Sequence, residues 1–377
     1  MLTSNRAGAL LTIDLDAICA NWRMLSTRLR SAACAAVVKA DAYGLGAEQI
    51  APALAAAGCK HFFAGYLHEA LLLKPHLPAD AAVYVLHGCP IGLETEVIQH
   101  GLIPVLNSLE QIDAWTAQAR AEGRLLPAII QVDTGMARMG LSAAEITILS
   151  TDSHRLDGID IRYVMSHLAC AERPSSPVNA QQLHRFRDIR KMLPKAPASL
   201  ANSSGIFLDR HYHFDLARSG AALYGIAPTV DGHNPMRQVV RLQGKVLQVR
   251  SIEAGNGVGY GPTWRASSPR RIATVSVGYA DGYLRNLSNT AVAYLGDTAV
   301  RLVGTVSMDT TTFDVSEVPE HAIQPGTLID LINDRHPVDS LAEEAGTIGY
   351  EILTRLGTRY CRQYIQGDKN SEAVSKP

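Results

Sequence analysis

The chain has no CxxC pair and no cysteine–histidine spacing that would assemble a zinc site. No window approaches the ~20 apolar residues that a membrane span needs, and the N-terminus MLTSNRAGALLTID lacks the apolar core of a signal peptide. The six scattered cysteines, Cys19, Cys34, Cys59, Cys89, Cys170 and Cys361, read as small apolar residues in a reducing compartment. A cytoplasmic protein without a metal centre is therefore expected. An excess of charge of either sign is also missing. Thirty-five Lys and Arg face 36 Asp and Glu, a formal net charge of -1, which removes the electrostatic footprint of a nucleic-acid binder or an anionic-membrane binder. A small-molecule partner remains.

At 377 residues the chain exceeds the roughly 250–300 at which one hydrophobic core stops growing, so two domains are expected. Eight short apolar runs alternate with helical-period segments: AAVVK (35–39), HFFAGY (61–66), AVYVLH (82–87), IPVL (103–106), AIIQVD (128–133), IRYVMSH (161–167), ASLAN (198–202) and HFDLAR (213–218). Parallel strands buried on both faces lose polar alternation, so this pattern predicts a (β/α)8 TIM barrel within an α/β chain over residues 11–232. An open doubly wound sheet stays possible, although the GxGxxG turn of its dinucleotide-binding version is absent after the first run. Residues 233–365 are rich in Val, Ile and Thr, broken by glycine, and predict a mainly-β C-terminal domain that residues 1–10 could join. Residues 366–377 read as a polar tail.

Barrel active sites lie at the C-terminal ends of the strands. Lys39, Arg138, His167, Asn202, Ser203 and Arg218 all fall at or just after run ends. Singly each has an ordinary reading, since strand-end lysines snorkel to solvent and asparagines satisfy loop backbone. Jointly they point to one rim. The last two barrel loops, NSSG (202–205) and RSGA (218–221), are small enough for a phosphate to approach backbone N–H groups. A lysine opposite a phosphate cradle suggests pyridoxal 5'-phosphate held as a Schiff base to Lys39.

The ordered set AVVKADAYGLG (36–46), VDTGMARMG, the SH pair at 166–167, ANSS, ARSGAALYG, VGYG (258–261), GYADGYLR, VSMD (306–309) and GYEIL resembles bacterial alanine racemases, the pyridoxal-phosphate enzymes of fold type III. The resemblance runs from about residue 11 to 364. It implies interconversion of L- and D-alanine by two bases on opposite faces of the cofactor, with D-alanine going to peptidoglycan. Lys39 matches the cofactor-bearing base for the D-enantiomer. Tyr260 matches the base for the L-enantiomer, supplied with Met308 across a homodimer interface. Tyr43, Ser203, Gly220, Ala221 and Tyr350 match positions around the phosphate, Asn202 another cofactor contact. His167 and Arg218 match the network that favours the phenolate, Arg218 also facing the pyridine nitrogen. Arg138 and Met308 match contacts to the substrate carboxylate. Within AVVKADAYGLG, Gly44 and Gly46 are expected to let the chain turn into its helix.

Two positions depart from the family pattern. Gln131 stands where a carbamylated lysine often holds the substrate arginine, so a neutral amide bond to Arg138 is expected in its place. Thr305 replaces an arginine of the substrate approach, which leaves a broad-specificity racemase acting on serine or lysine as the alternative. Barrel-type decarboxylases share the lysine, but their glycine-rich phosphate loop and cysteine motif are missing. A single-domain pyridoxal-binding protein would end near residue 235.

Overall fold

The computed structural model describes residues 5–367 and divides into two compact units. The expected polar tail lies outside the described residues from position 368 onward. Of the described residues, one unit takes 19–223 and 227–236, the other 5–18, 224–226 and 237–367.

The first strand, β1 (Ala9–Asp14), belongs to the second unit. Its burial alternates residue by residue, as it does in a sheet with one face on a core. The first unit is built on eight parallel strands: β2 (Ala33–Val37), β3 (His61–Ala64), β4 (Ala82–Val85), β5 (Ile103–Leu106), β6 (Leu126–Gln131), β7 (Ile159–Met165), β8 (Ala198–Ser199) and β9 (Leu216–Ser219). They pair in the order β8-β7-β6-β5-β4-β3-β2-β9. A single parallel bridge between Asn202 and Arg218 brings the two ends of the sheet together, with Arg218 N–H donating to Ala201 O at 2.9 Å. The result is the near-closed (β/α)8 barrel that the apolar runs predicted. Helices such as Leu109–Glu122 and Pro177–Met192 succeed the strands, while the connection after β4 holds only Glu94–Gln99.

The second unit is an antiparallel β domain around the thirteen-residue β10 (Val240–Ile252). With the two-residue pair β11 (Gly257–Val258) and β12 (Trp264–Arg265), and with β13 (Arg270–Val275), β14 (Val292–Leu295), β15 (Thr298–Leu302), β16 (Thr311–Asp314), β17 (Leu328–Ile332) and β18 (Cys361–Ile365), it completes the strand set. The main sheet runs β13-β16-β15-β14-β17-β10-β1-β18, and β10 also pairs with β13 past an irregularity between Val246 and Gln248. β10 pairs with β1 over residues 240–244 and with β13 over residues 246–252. Among the described residues no helix is long and apolar enough to cross a membrane.

Candidate active site

The barrel places Lys39 two residues beyond the end of β2. The chain past this lysine does not make the ordinary helix start that AVVKADAYGLG suggests. Ala40, Asp41, Ala42 and Tyr43 form a left-handed turn, with φ of 52, 54, 52 and 58°. For a residue with a Cβ this conformation costs on the order of 1–2 kcal/mol, so the surroundings must impose it. Ala42 N–H donates to Val38 O at 2.9 Å, Gly46 N–H to Asp41 O at 2.9 Å, and the Asp41 carboxylate accepts the Ala47 N–H at 2.7 Å. Both glycines take positive φ as expected, yet they only finish a turn that non-glycine residues make. Burial, then the charge of Arg138, holds the Lys39 ammonium below its ordinary pKa, with Glu69 opposing. The fraction of neutral, nucleophilic amine rises accordingly.

On β9, the strand paired with β2, Arg218 stands opposite Ala35 and is only 3% exposed. Its guanidinium donates to Ser199 Oγ and to Ser166 O, both at 2.6 Å, and to His167 Nδ1 at 3.2 Å. Among the described residues no carboxylate pairs with it. Burial pushes its pKa down to about 9, which leaves it charged at neutral pH.

Because a guanidinium can only donate, the His167 nitrogen facing it must accept, and the ring proton sits on Nε2. Burial and the cations Arg218, Arg138 and Lys39 push His167 down to about 3. The imidazole is then neutral and offers an N–H, with the Arg218 charge beside it.

The phosphate loops are also rearranged in detail. Ser203 Oγ accepts the N–H groups of Gly220 at 2.8 Å and Ala222 at 3.3 Å. The Gly220 N–H is therefore engaged inside the chain, whereas the Ala221 N–H has no acceptor among the described residues. With its lone pairs occupied, the Ser203 hydroxyl is left to donate. A Cβ on Gly220 would lie 2.4 Å from Tyr43 Oη, which puts the buried tyrosine hydroxyl beside the same loop. Asn202 Oδ1 holds the loop from behind by accepting Gly205 N–H at 2.9 Å.

Arg138 is exposed after β6, and among the described residues its guanidinium makes no hydrogen bond or ion pair. Gln131 does not reach it. Its Nε2 donates instead to Met139 O at 3.3 Å, so the amide steadies the backbone next to Arg138 and the expected side-chain bond is absent. The reason is local: Leu141 N–H returns to Gln131 O at 2.8 Å, and this hairpin keeps Gln131 buried under it.

In the β unit the side chains that the resemblance singles out face outward. Tyr260 is 75%, Met308 53% and Tyr350 39% exposed. Their backbones, by contrast, are fixed. Tyr279 and Ala280 N–H groups donate to Ser307 O and Met308 O, both at 3.0 Å, joining GYADG to VSMD. Arg359 then clamps the pair from outside, with Nε and Nη2 on the buried Asp281 at 2.6 and 2.9 Å and Nη1 on Asp309 at 2.6 Å. Thr305 is buried, and its hydroxyl donates to Tyr260 O at 3.2 Å. It braces the tyrosine loop, where the sequence suggested a widened substrate approach.

Sequence reasoning missed Glu69, Ser199 and Arg359, and noted Ser166 only as part of a motif. Ser199 had a readable signal, as a polar residue in the apolar run ASLAN. Arg359 had none, because its partners lie 78 and 50 positions away.

Two family models cover the chain: the alanine racemase N-terminal domain over residues 13–228 and the alanine racemase C-terminal domain over residues 239–364. The chain belongs to the alanine racemase family. It is 53% identical over 361 residues to the alanine racemase of Rhodospirillum rubrum, a match that spans 96% of each chain. It is 50% identical to the catabolic alanine racemase of Mesorhizobium japonicum over 96% of this chain and 94% of that one. Among solved structures, the alanine racemase of Bartonella henselae with covalently bound pyridoxal phosphate superposes with a TM-score of 0.92 at 42% identity. That match covers 95% of this chain and 100% of the other.

Proposed function

We propose that the chain interconverts L- and D-alanine with pyridoxal 5'-phosphate, using Lys39 and Tyr260 as bases on opposite faces of the substrate Cα. The carrying observation is Arg218, a buried cation satisfied by neutral acceptors, on the barrel rim that also bears Lys39. The residues fit the cofactor. A mouth lined by cations suits a dianionic phosphate, and the Ser203 O–H and Ala221 N–H provide donors where the loops are small.

Bound pyridoxal phosphate supplies an electron sink that acidifies the α-proton of alanine. Lys39 carries the cofactor and moves the proton of the D-enantiomer, and Tyr260 that of the L-enantiomer. Inversion needs both, because one proton leaves one face and another arrives on the opposite face. Arg218 would face the pyridine nitrogen, where many pyridoxal enzymes use a carboxylate; a guanidinium can only donate, so it would keep that nitrogen unprotonated and restrain side reactions. Neutral His167 presents its Nε2–H toward the tyrosine hydroxyl. Tyr43 and Tyr350 hold the phosphate with the Ser203 loop, and Arg138 and the Met308 N–H take the substrate carboxylate. Tyr260 and Met308 come from a second subunit of a homodimer, which the exposure of both side chains supports. Six free cysteines support a cytoplasmic location.

Racemisation of L-alanine by wild type, Lys39→Ala and Tyr260→Phe, with visible absorbance followed in parallel, tests the assignment. Lys39→Ala is expected to lose both activity and the cofactor band, and Tyr260→Phe to keep the band while losing roughly 10²–10⁴-fold in rate. Full activity in the tyrosine variant would remove the two-base reading.

A further inference from the structure

We propose that Glu69 is a positioning residue for Lys39, fixing the left-handed turn that aims the amine and supplying the countercharge beside it. This rests on the assignment of Lys39 as the cofactor-bearing amine. Glu69 Oε1 accepts the Ala40 N–H at 2.9 Å, the first peptide after the lysine and the first residue of the turn. Its Oε2 accepts the Gly65 N–H at 2.7 Å and the Tyr66 N–H at 3.3 Å at the end of β3. One carboxylate thus ties the exits of β2 and β3 together. The tie is close: a Cβ on Gly65 would lie 3.1 Å from Glu69 Oε2 and 3.5 Å from Lys39 Cβ.

The turn needs such a clamp. Four consecutive non-glycine residues with positive φ revert toward the right-handed well unless neighbouring bonds hold them, and reversion at Ala40 would swing the Lys39 side chain. Charge points the same way. Of the groups acting on the Lys39 amine, Arg138 disfavours its protonated form and Glu69 favours it.

A competing explanation is that Glu69 only caps the helix Leu67–Leu73, whose first turn it occupies. The barrel contains its own control. Glu145 makes the same kind of cap on the helix Ala143–Thr151, accepting the Ser142 N–H at 2.8 Å, with no tie to Lys39.

Holoenzyme with Glu69→Gln, Glu69→Asp, Glu145→Gln or Lys39→Ala is compared by thermal unfolding, by kcat and KM for L-alanine, and by pH titration of the bound cofactor's visible absorbance. Glu69→Gln is expected to move the titration midpoint to lower pH and to cut kcat on the order of 10- to 100-fold with KM little changed. Glu145→Gln is expected to lose comparable thermal stability while keeping the wild-type midpoint and kcat. A wild-type midpoint or a wild-type kcat in Glu69→Gln overturns the proposal, and so does an equal spectral shift in Glu145→Gln. If Glu69→Gln does not fold, Glu69→Asp, which draws both oxygens back by one methylene, decides: reduced kcat supports the proposal and wild-type kcat overturns it. Lys39→Ala separates the two claims, because retention of the cofactor band there defeats the lysine assignment whatever Glu69 does.

Discussion

In the barrel, Arg218 is 3% exposed and its hydrogen bonds end on Ser166 and His167, just past β7, and on Ser199 of β8. In the β unit, Tyr260 is 75% exposed while its carbonyl is held by a buried threonine. The first arrangement is a preorganised pocket, with desolvated charges and fixed donors. The second is a set of side chains presented on rigid backbone, useful only to something that arrives from outside. On the proposed reading the barrel residues hold the cofactor, while Tyr260 and Met308 serve a second subunit.

Arg359→Ala attacks the β half hardest. It removes three hydrogen bonds and leaves the buried Asp281 carboxylate without its partner, so a stability loss of about 1–3 kcal/mol is expected. Because Asp309 adjoins Met308, KM for alanine should rise about tenfold; an unchanged KM would show that the clamp does not set the loop. For the barrel half, pH is the sharper tool. His167 is held at about 3, against an ordinary value of about 6.5, so between these values the unfolded chain binds a proton that the folded chain refuses. Stability therefore falls as pH falls through that window, and His167→Gln should show a shallower dependence, by about 2 kcal/mol between about pH 6.5 and 5 in denaturant titrations. Equal slopes would mean that the histidine is not held neutral. Thr305→Val is the mildest. Losing one bond to Tyr260 O should lower kcat about two- to fivefold, with stability down by about 1 kcal/mol and KM unchanged.

The eight barrel strands were legible because burial on both faces turns each into an apolar run, and the rim residues were legible because they interrupt those runs at their ends. The placement of β1 was not. ALLTID looks like one more buried strand until its partners β10 and β18 are known. The turn after Lys39 was illegible for a different reason: Ala, Asp and Tyr carry no left-handed signal, and Glu69, which imposes the conformation, sits 29 positions from Ala40. The same holds for Gln131 and Thr305. Each was singled out by what it replaces, but where its hydrogen bond goes depends on carbonyls brought near only by folding.

The shared site itself is tested most directly by mixing subunits. Lys39→Ala and Tyr260→Phe homodimers are each inactive on this account, yet a hybrid holds one site with both intact residues. Random reassortment of equal amounts should restore roughly a quarter of wild-type activity, since half the dimers are hybrids with one complete site each. If hybrid dimers form, as followed by differently tagged subunits, and no racemisation returns, then Tyr260 serves the barrel of its own chain and the division between the two halves is wrong.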